Sequence, residues 1–246
     1  AGTAKFVGGS NESRGFIYSG GASGTFTNLG VLAGATATGI RPASDAMDIN
    51  SLGVATGTAT SGAGTINSEG DNIDIYTGVG SPISDIDGDI SVVTRHDRGR
   101  AINNAGLLVG SNEDNKATLF NGATETVLLA GTAFASDASD ASDLNESGQV
   151  TISTNQSNAA LIYDSSDSSV FTIPQIGTGN RMSANAINES GDVVGKGDRN
   201  TGLSGQARGY VYDADDAASY ILEDHVLDLT VPAVSGLGDW EMLRAA

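Results

Sequence analysis

The chain has 246 residues and a formal net charge of −18, with 30 acidic against 12 basic side chains. A field of that sign repels phosphate backbones and anionic headgroups, which sets aside nucleic acid and anionic membrane surfaces as partners. Cysteine is absent, so disulfides, thiolate metal ligands and a cysteine nucleophile are excluded, while 34 Gly beside only 4 Pro suit short strands joined by tight turns.

At the N-terminus, AGTAKFVGG has no charged region followed by an apolar one, and no window approaches the roughly 18 apolar residues of a membrane span. No membrane insertion is expected. A start on a small residue without Met is what signal-peptidase cleavage leaves, so a secreted or cell-surface location is expected.

Two motifs then recur in chain order. The first is an Asn-x-x-Gly hairpin: DINSLGVATG from Asp48, AINNAGLLVG from Ala101, DLNESGQVTI from Asp143 and AINESGDVVG from Ala186. Asn and Gly both tolerate positive φ, so Asn50–Gly53, Asn103–Gly106, Asn145–Gly148 and Asn188–Gly191 are expected to join paired strands. The second is an aromatic strand, anchored by Tyr18, Tyr76, Phe120, Tyr163 and Tyr212. An Asp-rich turn after Tyr212 leads to a fourth strand around Tyr220–Leu222. The common period, slightly above ~40 residues, is that of four-stranded propeller blades.

The second unit is irregular. Between Gly57 and Ile73 it carries TATSGAGTINSEGDN, in which Ile66–Gly70 imitates the hairpin motif. We read that stretch as an inserted loop.

Five aromatic strands but four complete hairpins leave one hairpin divided between the termini. Trp240–Ala245 takes the place of a first strand, and Lys5–Gly9 resembles a second strand such as LLVG. The expected fold is therefore an all-β, five-bladed propeller of four-stranded antiparallel blades, closed by pairing of the N- and C-terminal strands. As a single domain over 1–246, its units run approximately 1–39, 40–92, 93–135, 136–178 and 179–229, with 230–246 closing the first blade.

These residues resemble the bacterial extracellular repeat family called HAF. GFIYSGGASGTFTNLGVLAGATATGI from Gly15, leading to DINSLGVATG, follows its repeat almost element by element; SANAINESGDVVG is close to its consensus, and the stretch from Ile221 through DWEMLRAA is similar to its terminal unit. The second unit departs most, and the third lacks the LGG-like stretch. The resemblance spans nearly the whole chain. It implies secretion and a repeat β fold, often in proteins with a C-terminal sorting tail, and it implies no catalytic residues.

Few residues announce chemistry. His96 and His225 are distant in sequence and GxSxG is absent, so neither a zinc site nor a serine triad is indicated. Asp85, Asp87 and Asp89 alternate around Gly88 and form a candidate Ca²⁺ site, although an EF-hand register would place His96 where a bidentate Glu is required. Asp137, Asp140 and Asp143 form a second acidic run, and both runs also read as solvated loops.

Loops entering first strands ring one mouth of a propeller channel. That register puts Arg41, Asp45, Arg95, His96, Arg98, Arg181 and Trp240 there as candidate ligand-binding residues, within reach of Asp137, Asp140, Asn180 and Asp239. Such a ring could hold a carboxylate-bearing glycan through Arg forks and a stacking Trp, or consist of polar loops offsetting one another's charge. Asp45, Asp97 and Asp140 could supply a glycosidase pair. The function expected is a non-catalytic extracellular binding or structural module, engaging polysaccharide or self-associating; a glycan-binding lectin and a glycoside-active enzyme are the alternatives.

Overall fold

A computed structural model describes residues 2–6, 12–31, 43–60, 71–76, 84–86, 98–176, 178, 181–198 and 207–221. They form an all-β protein of antiparallel sheets, each built from strands consecutive in the chain. Sheet 1 contains β1 (Gly2–Phe6), β2 (Glu12–Ser19) and β3 (Thr25–Asn28). Sheet 2 contains β4 (Ser44–Ile49), β5 (Ala55–Thr60), β6 (Asp71–Tyr76) and β7 (Ser84–Asp85). Sheet 3 contains β8 (Arg98–Ile102), β9 (Leu107–Ser111), β10 (Ala117–Asn121) and β11 (Thr124–Val127). Sheet 4 contains β12 (Ser139–Leu144), β13 (Gln149–Thr154), β14 (Ala160–Asp164) and β15 (Ser169–Thr172). Sheet 5 contains β16 (Met182–Ile187), β17 (Val193–Asp198), β18 (Ala207–Asp213) and β19 (Ala218–Ile221). The one helical element among the described residues is a 3₁₀ turn at Gly21–Ser23, and no helix there is long and apolar enough to cross a membrane.

Each sheet packs on the next one in sequence, because a single small sheet cannot bury its own apolar face. Leu29, Ala46, Ala55 and Ala59 fill the space between sheets 1 and 2, and Leu108 with Phe120 packs against Ile86 between sheets 2 and 3. Val109, Leu119, Leu128, Ile152 and Leu161 form the largest cluster, between sheets 3 and 4. Ile162, Ile173, Met182 and Tyr210 join sheets 4 and 5. At about 1.5–3 kcal/mol per fully buried large aliphatic side chain, these interfaces supply most of the drive to stack.

Hydrogen bonds fix how the sheets stack. The expected hairpins all form: the amides of Gly53, Gly106, Gly148 and Gly191 donate to the carbonyls of Asn50, Asn103, Asn145 and Asn188 at 3.1 Å in every case. Their φ angles of 80°, 81°, 82° and 89° are ones a side chain rarely adopts, which is why Gly stands there. The Asn side chains close the same turns, accepting from Val54, Leu107, Gln149 and Asp192 amides at 2.9 to 3.0 Å.

In three of the four the other end of the amide reaches outward. Asn50 Nδ2 donates to the Asn103 carbonyl at 3.0 Å, Asn103 Nδ2 to the Asn145 carbonyl at 3.3 Å, and Asn145 Nδ2 to the Asn188 carbonyl at 3.0 Å. One residue on, a parallel series runs from the Ser51 amide to Asn104 Oδ1 at 2.9 Å, from the Asn104 amide to Glu146 Oε2 at 3.0 Å, and from the Glu146 amide to Glu189 Oε2 at 3.1 Å. Asp48 and Asp143 add a third contact, each accepting the amide of the next sheet's Ile102 or Ile187 at 2.9 Å. The repeated motif is thus both a turn and a coupling between sheets.

The N-terminal strand differs from expectation. Gly2 faces Phe16 as Gly110 faces Thr118 and Gly195 faces Tyr210, so β1 is a second strand in a register several residues earlier than Lys5–Gly9. In sheets 2, 3 and 5 glycine at this position is a steric requirement, because a Cβ on Gly57, Gly110 or Gly195 would run into the carbonyl of Asp45, Arg98 or Ser183, whereas sheet 4 carries Ile152 there. The C-terminal partner of the expected closure, Trp240–Ala245, lies outside the described residues. In sheet 2 the hairpin is Asn50–Gly53, while Ile66–Gly70 falls between β5 and β6, also outside them.

Asn145 is 2% exposed, so Asn145→Ala leaves the Asn188 carbonyl and the Gln149 amide without their partners. A loss of about 1–3 kcal/mol is expected, read as a lower urea midpoint. The same change at the exposed Asn188 should cost less. Equal midpoints for Asn145→Ala and the parent would refute the coupling role.

Candidate ligand-binding cleft

The first strands β4, β8, β12 and β16 share one irregularity. Pairing with the second strand skips a residue after Ala46, Gly99, Ala141 and Ala184, leaving Met47, Arg100, Ser142 and Asn185 as the extra residues of four equivalent β-bulges. A bulge bends its strand and re-aims the extra side chain. Here all four project into one cleft, while the small residue before each is buried against the neighbouring sheet.

The cleft encloses about 560 Å³. Sheet 3 contributes Arg98 and Arg100, sheet 4 Asp140 and Ser142, and sheet 5 Ser183, Asn185 and Lys196. Ser111, Ser153, Asn115 and Asn155 complete its polar rim from the second strands and the turns that follow them. Arg100 crosses to the next sheet and its Nη2 lies 2.8 Å from Asp140 Oδ2. Arg100 Nε and Asp140 Oδ1 are buried beside that pair without a hydrogen-bond partner, so the bond between Nη2 and Oδ2 is the one that holds the two side chains together. Arg98 and Lys196 make no ion pair or side-chain hydrogen bond with any described residue.

The sequence-derived candidates divide sharply. Arg98 and Asp140 line the cleft. Asp45 occupies the equivalent place on β4 and is exposed. Arg181 is exposed just before β16, where its carbonyl accepts the Asp198 amide at 2.9 Å, but its side chain is not part of the cleft wall. Arg41, Arg95, His96, Asp97, Asn180, Asp239 and Trp240 lie outside the described residues, as does His225.

The run Asp137, Asp140, Asp143 is neither a cation site nor a solvated loop. Its members separate: Asp137 is buried and accepts the Ser157 amide at 2.9 Å, Asp140 binds Arg100, and Asp143 accepts the Leu144 and Ile187 amides at 2.9 Å. Asp137 therefore braces the loop before β12 instead of facing the mouth. Lys116 braces the same loop, donating to the Ala135 and Asp137 carbonyls at 3.0 and 2.7 Å. Of the candidate Ca²⁺ ligands, Asp85 pairs with Asp74 through the β7 backbone, and Asp87 and Asp89 lie outside the described residues. Among the described residues no group of three or more His, Asp or Glu could hold a metal ion.

Burial raises the pKa of the Asp143 carboxyl, with the charges of Asp48 and Glu189 adding to the effect and the two amides opposing it. Asp137 moves the other way, lowered by hydrogen bonds from Ser157 and by the Lys116 charge.

Sequence reasoning missed Arg100 as a candidate, along with Met47, Ser142, Asn185 and Lys196. Strict alternation has no place for an extra residue, so a bulge hides its own position. A signal was present: three residues before each motif Asn, a larger or polar residue follows a small one, as in Ala46-Met47, Gly99-Arg100, Ala141-Ser142 and Ala184-Asn185. No family model matches the chain, and no curated protein matches it.

Because Asp137 has a depressed pKa in the folded protein, it adds stability above the unfolded value near ~4, and this is lost as pH falls through the lower folded value. Asp137→Asn should therefore show a flatter loss of thermal stability below about pH 4 than the parent. Parallel acid limbs in melts from pH 6 to pH 2.5 would contradict this assignment.

Proposed function

We propose that the five sheets are the blades of a closed propeller of the HAF repeat type, and that the protein is a secreted or cell-surface, non-catalytic binding or assembly module. The couplings between hairpins support the ring, because the same asparagine-to-carbonyl bond repeats between sheets 2 and 3, 3 and 4, and 4 and 5, and so favours a similar step from sheet to sheet. Closure would cover the two faces that are left open. Sheet 1 has no first strand among the described residues, and in sheet 5 Asn188 Nδ2 turns to its own Asp192 at 2.9 Å. Val194 is 43% exposed there, whereas its equivalents Val109 and Thr151 are buried against a following sheet.

The single observation that carries binding over catalysis is the state of Asp140. A glycosidase needs two carboxyl groups across the bond it cleaves. The carboxylate of the described cleft wall is instead engaged by Arg100, amid cations, hydroxyls and amides.

Two measurements test this reading. An antibody against the chain should label intact, unpermeabilised cells or the medium, and the purified protein should release no reducing ends from a panel of neutral and acidic polysaccharides. Antigen confined within cells, or turnover abolished by Asp140→Asn, would overturn it.

A further inference from the structure

We infer that the cleft between the bulged first strands binds a uronate oligosaccharide, with Arg98 and Lys196 holding its carboxylates. This rests on the proposed binding role and names the ligand class for it.

The charge distribution is the first argument. A protein of net charge −18 brings three cations, Arg98, Arg100 and Lys196, to one cleft. Only one is neutralised there: Arg100, by Asp140. Arg98 on β8 and Lys196 on β17 come from different sheets and face the same space without a carboxylate partner among the described residues. Cations held apart in this way match anionic groups spaced along one ligand, and the guanidinium fork suits a carboxylate.

The second argument is what lies between them. Ser183, Asn185 and Asn155 offer hydroxyls and amides, which donate to and accept from sugar hydroxyls. About 560 Å³ is within the range of sites for ligands larger than a lone anion. Carboxylates for the cations and many hydroxyls for the rim describe an acidic sugar better than a lone phosphate, which would fill only a small part of the cleft, or a neutral glycan, which has no group for the cations.

The test uses isothermal titration calorimetry on the full chain with tetramers of galacturonate, glucuronate and mannuronate. The methyl-esterified tetramers and inorganic phosphate serve as probes of the same site. At least one acid tetramer should bind, and its methyl ester should bind at least about tenfold more weakly. Arg98→Gln and Lys196→Gln should each weaken binding by a similar factor, while Arg181→Gln, outside the cleft wall, should not. Unchanged melting temperatures will show that these variants fold.

No binding by any acid tetramer, equal affinity for acid and ester, or binding indifferent to Arg98→Gln and Lys196→Gln overturns the inference. Displacement by phosphate at equal concentration marks a general anion site and also overturns it. Cleavage of a bound tetramer would leave the uronate site standing and remove the non-catalytic reading, so the two failures are distinguishable.

Discussion

The bond from each motif asparagine to the next one's carbonyl is the constraint on which the rest depends. An apolar interface between two sheets is tolerant, since it can slide or rotate while keeping most of its buried area. A side-chain amide with one end closing its own turn and the other on a neighbouring carbonyl permits neither. At Asn103 and Asn145 the bond is also buried, where a missing partner would cost more than the bond itself contributes. Hydrophobic burial drives the sheets together, and the asparagines decide their relative placement.

That placement converts a local irregularity into a site. One β-bulge turns one side chain; four bulges at equivalent places in coupled sheets turn Met47, Arg100, Ser142 and Asn185 toward a common space. The coupling motif can stay constant while the bulge residue varies freely, because the latter carries no ladder pairing. A frame of repeated Asn, Gly and small residues thus displays a variable set of side chains in one cleft. Arg100 shows the arrangement at work, since it meets Asp140 only because the two sheets are held in step.

Much of the fold was legible in the sequence. The hairpins at Asn50, Asn103, Asn145 and Asn188 and the aromatic strands at Tyr18, Tyr76, Phe120, Tyr163 and Tyr212 fall where the repeat puts them, because turn chemistry and strand propensity are local properties. Register was less legible. Gly8 and Gly9 stand out in the sequence, yet Gly2 takes the pairing position, because register is set by contacts between strands, which no local pattern displays. The site was legible only in part. Arg98 and Asp140 follow from counting back to the loops before first strands, whereas Arg100 and Lys196 depend on a bulge and on a neighbouring sheet. Asp137, which composition groups with Asp140, is instead held by hydrogen bonds from Ser157.

The central claim, that these couplings carry the sheets around one axis, is open to a direct distance measurement, made simple by the absence of cysteine. Ala123 and Ser166 lie in equivalent exposed turns of the packed sheets 3 and 4, and Ala22 and Asp215 lie in the corresponding turns of sheets 1 and 5. Paired cysteine substitutions carrying spin labels would give both separations by dipolar spectroscopy. In a closed ring of five, sheets 1 and 5 are neighbours, and the Ala22–Asp215 distance should match the Ala123–Ser166 distance. An open stack would place four sheet spacings between the terminal pair, about 40 Å at ~10 Å each, and a separation of that size, well above the one between Ala123 and Ser166, would contradict the ring.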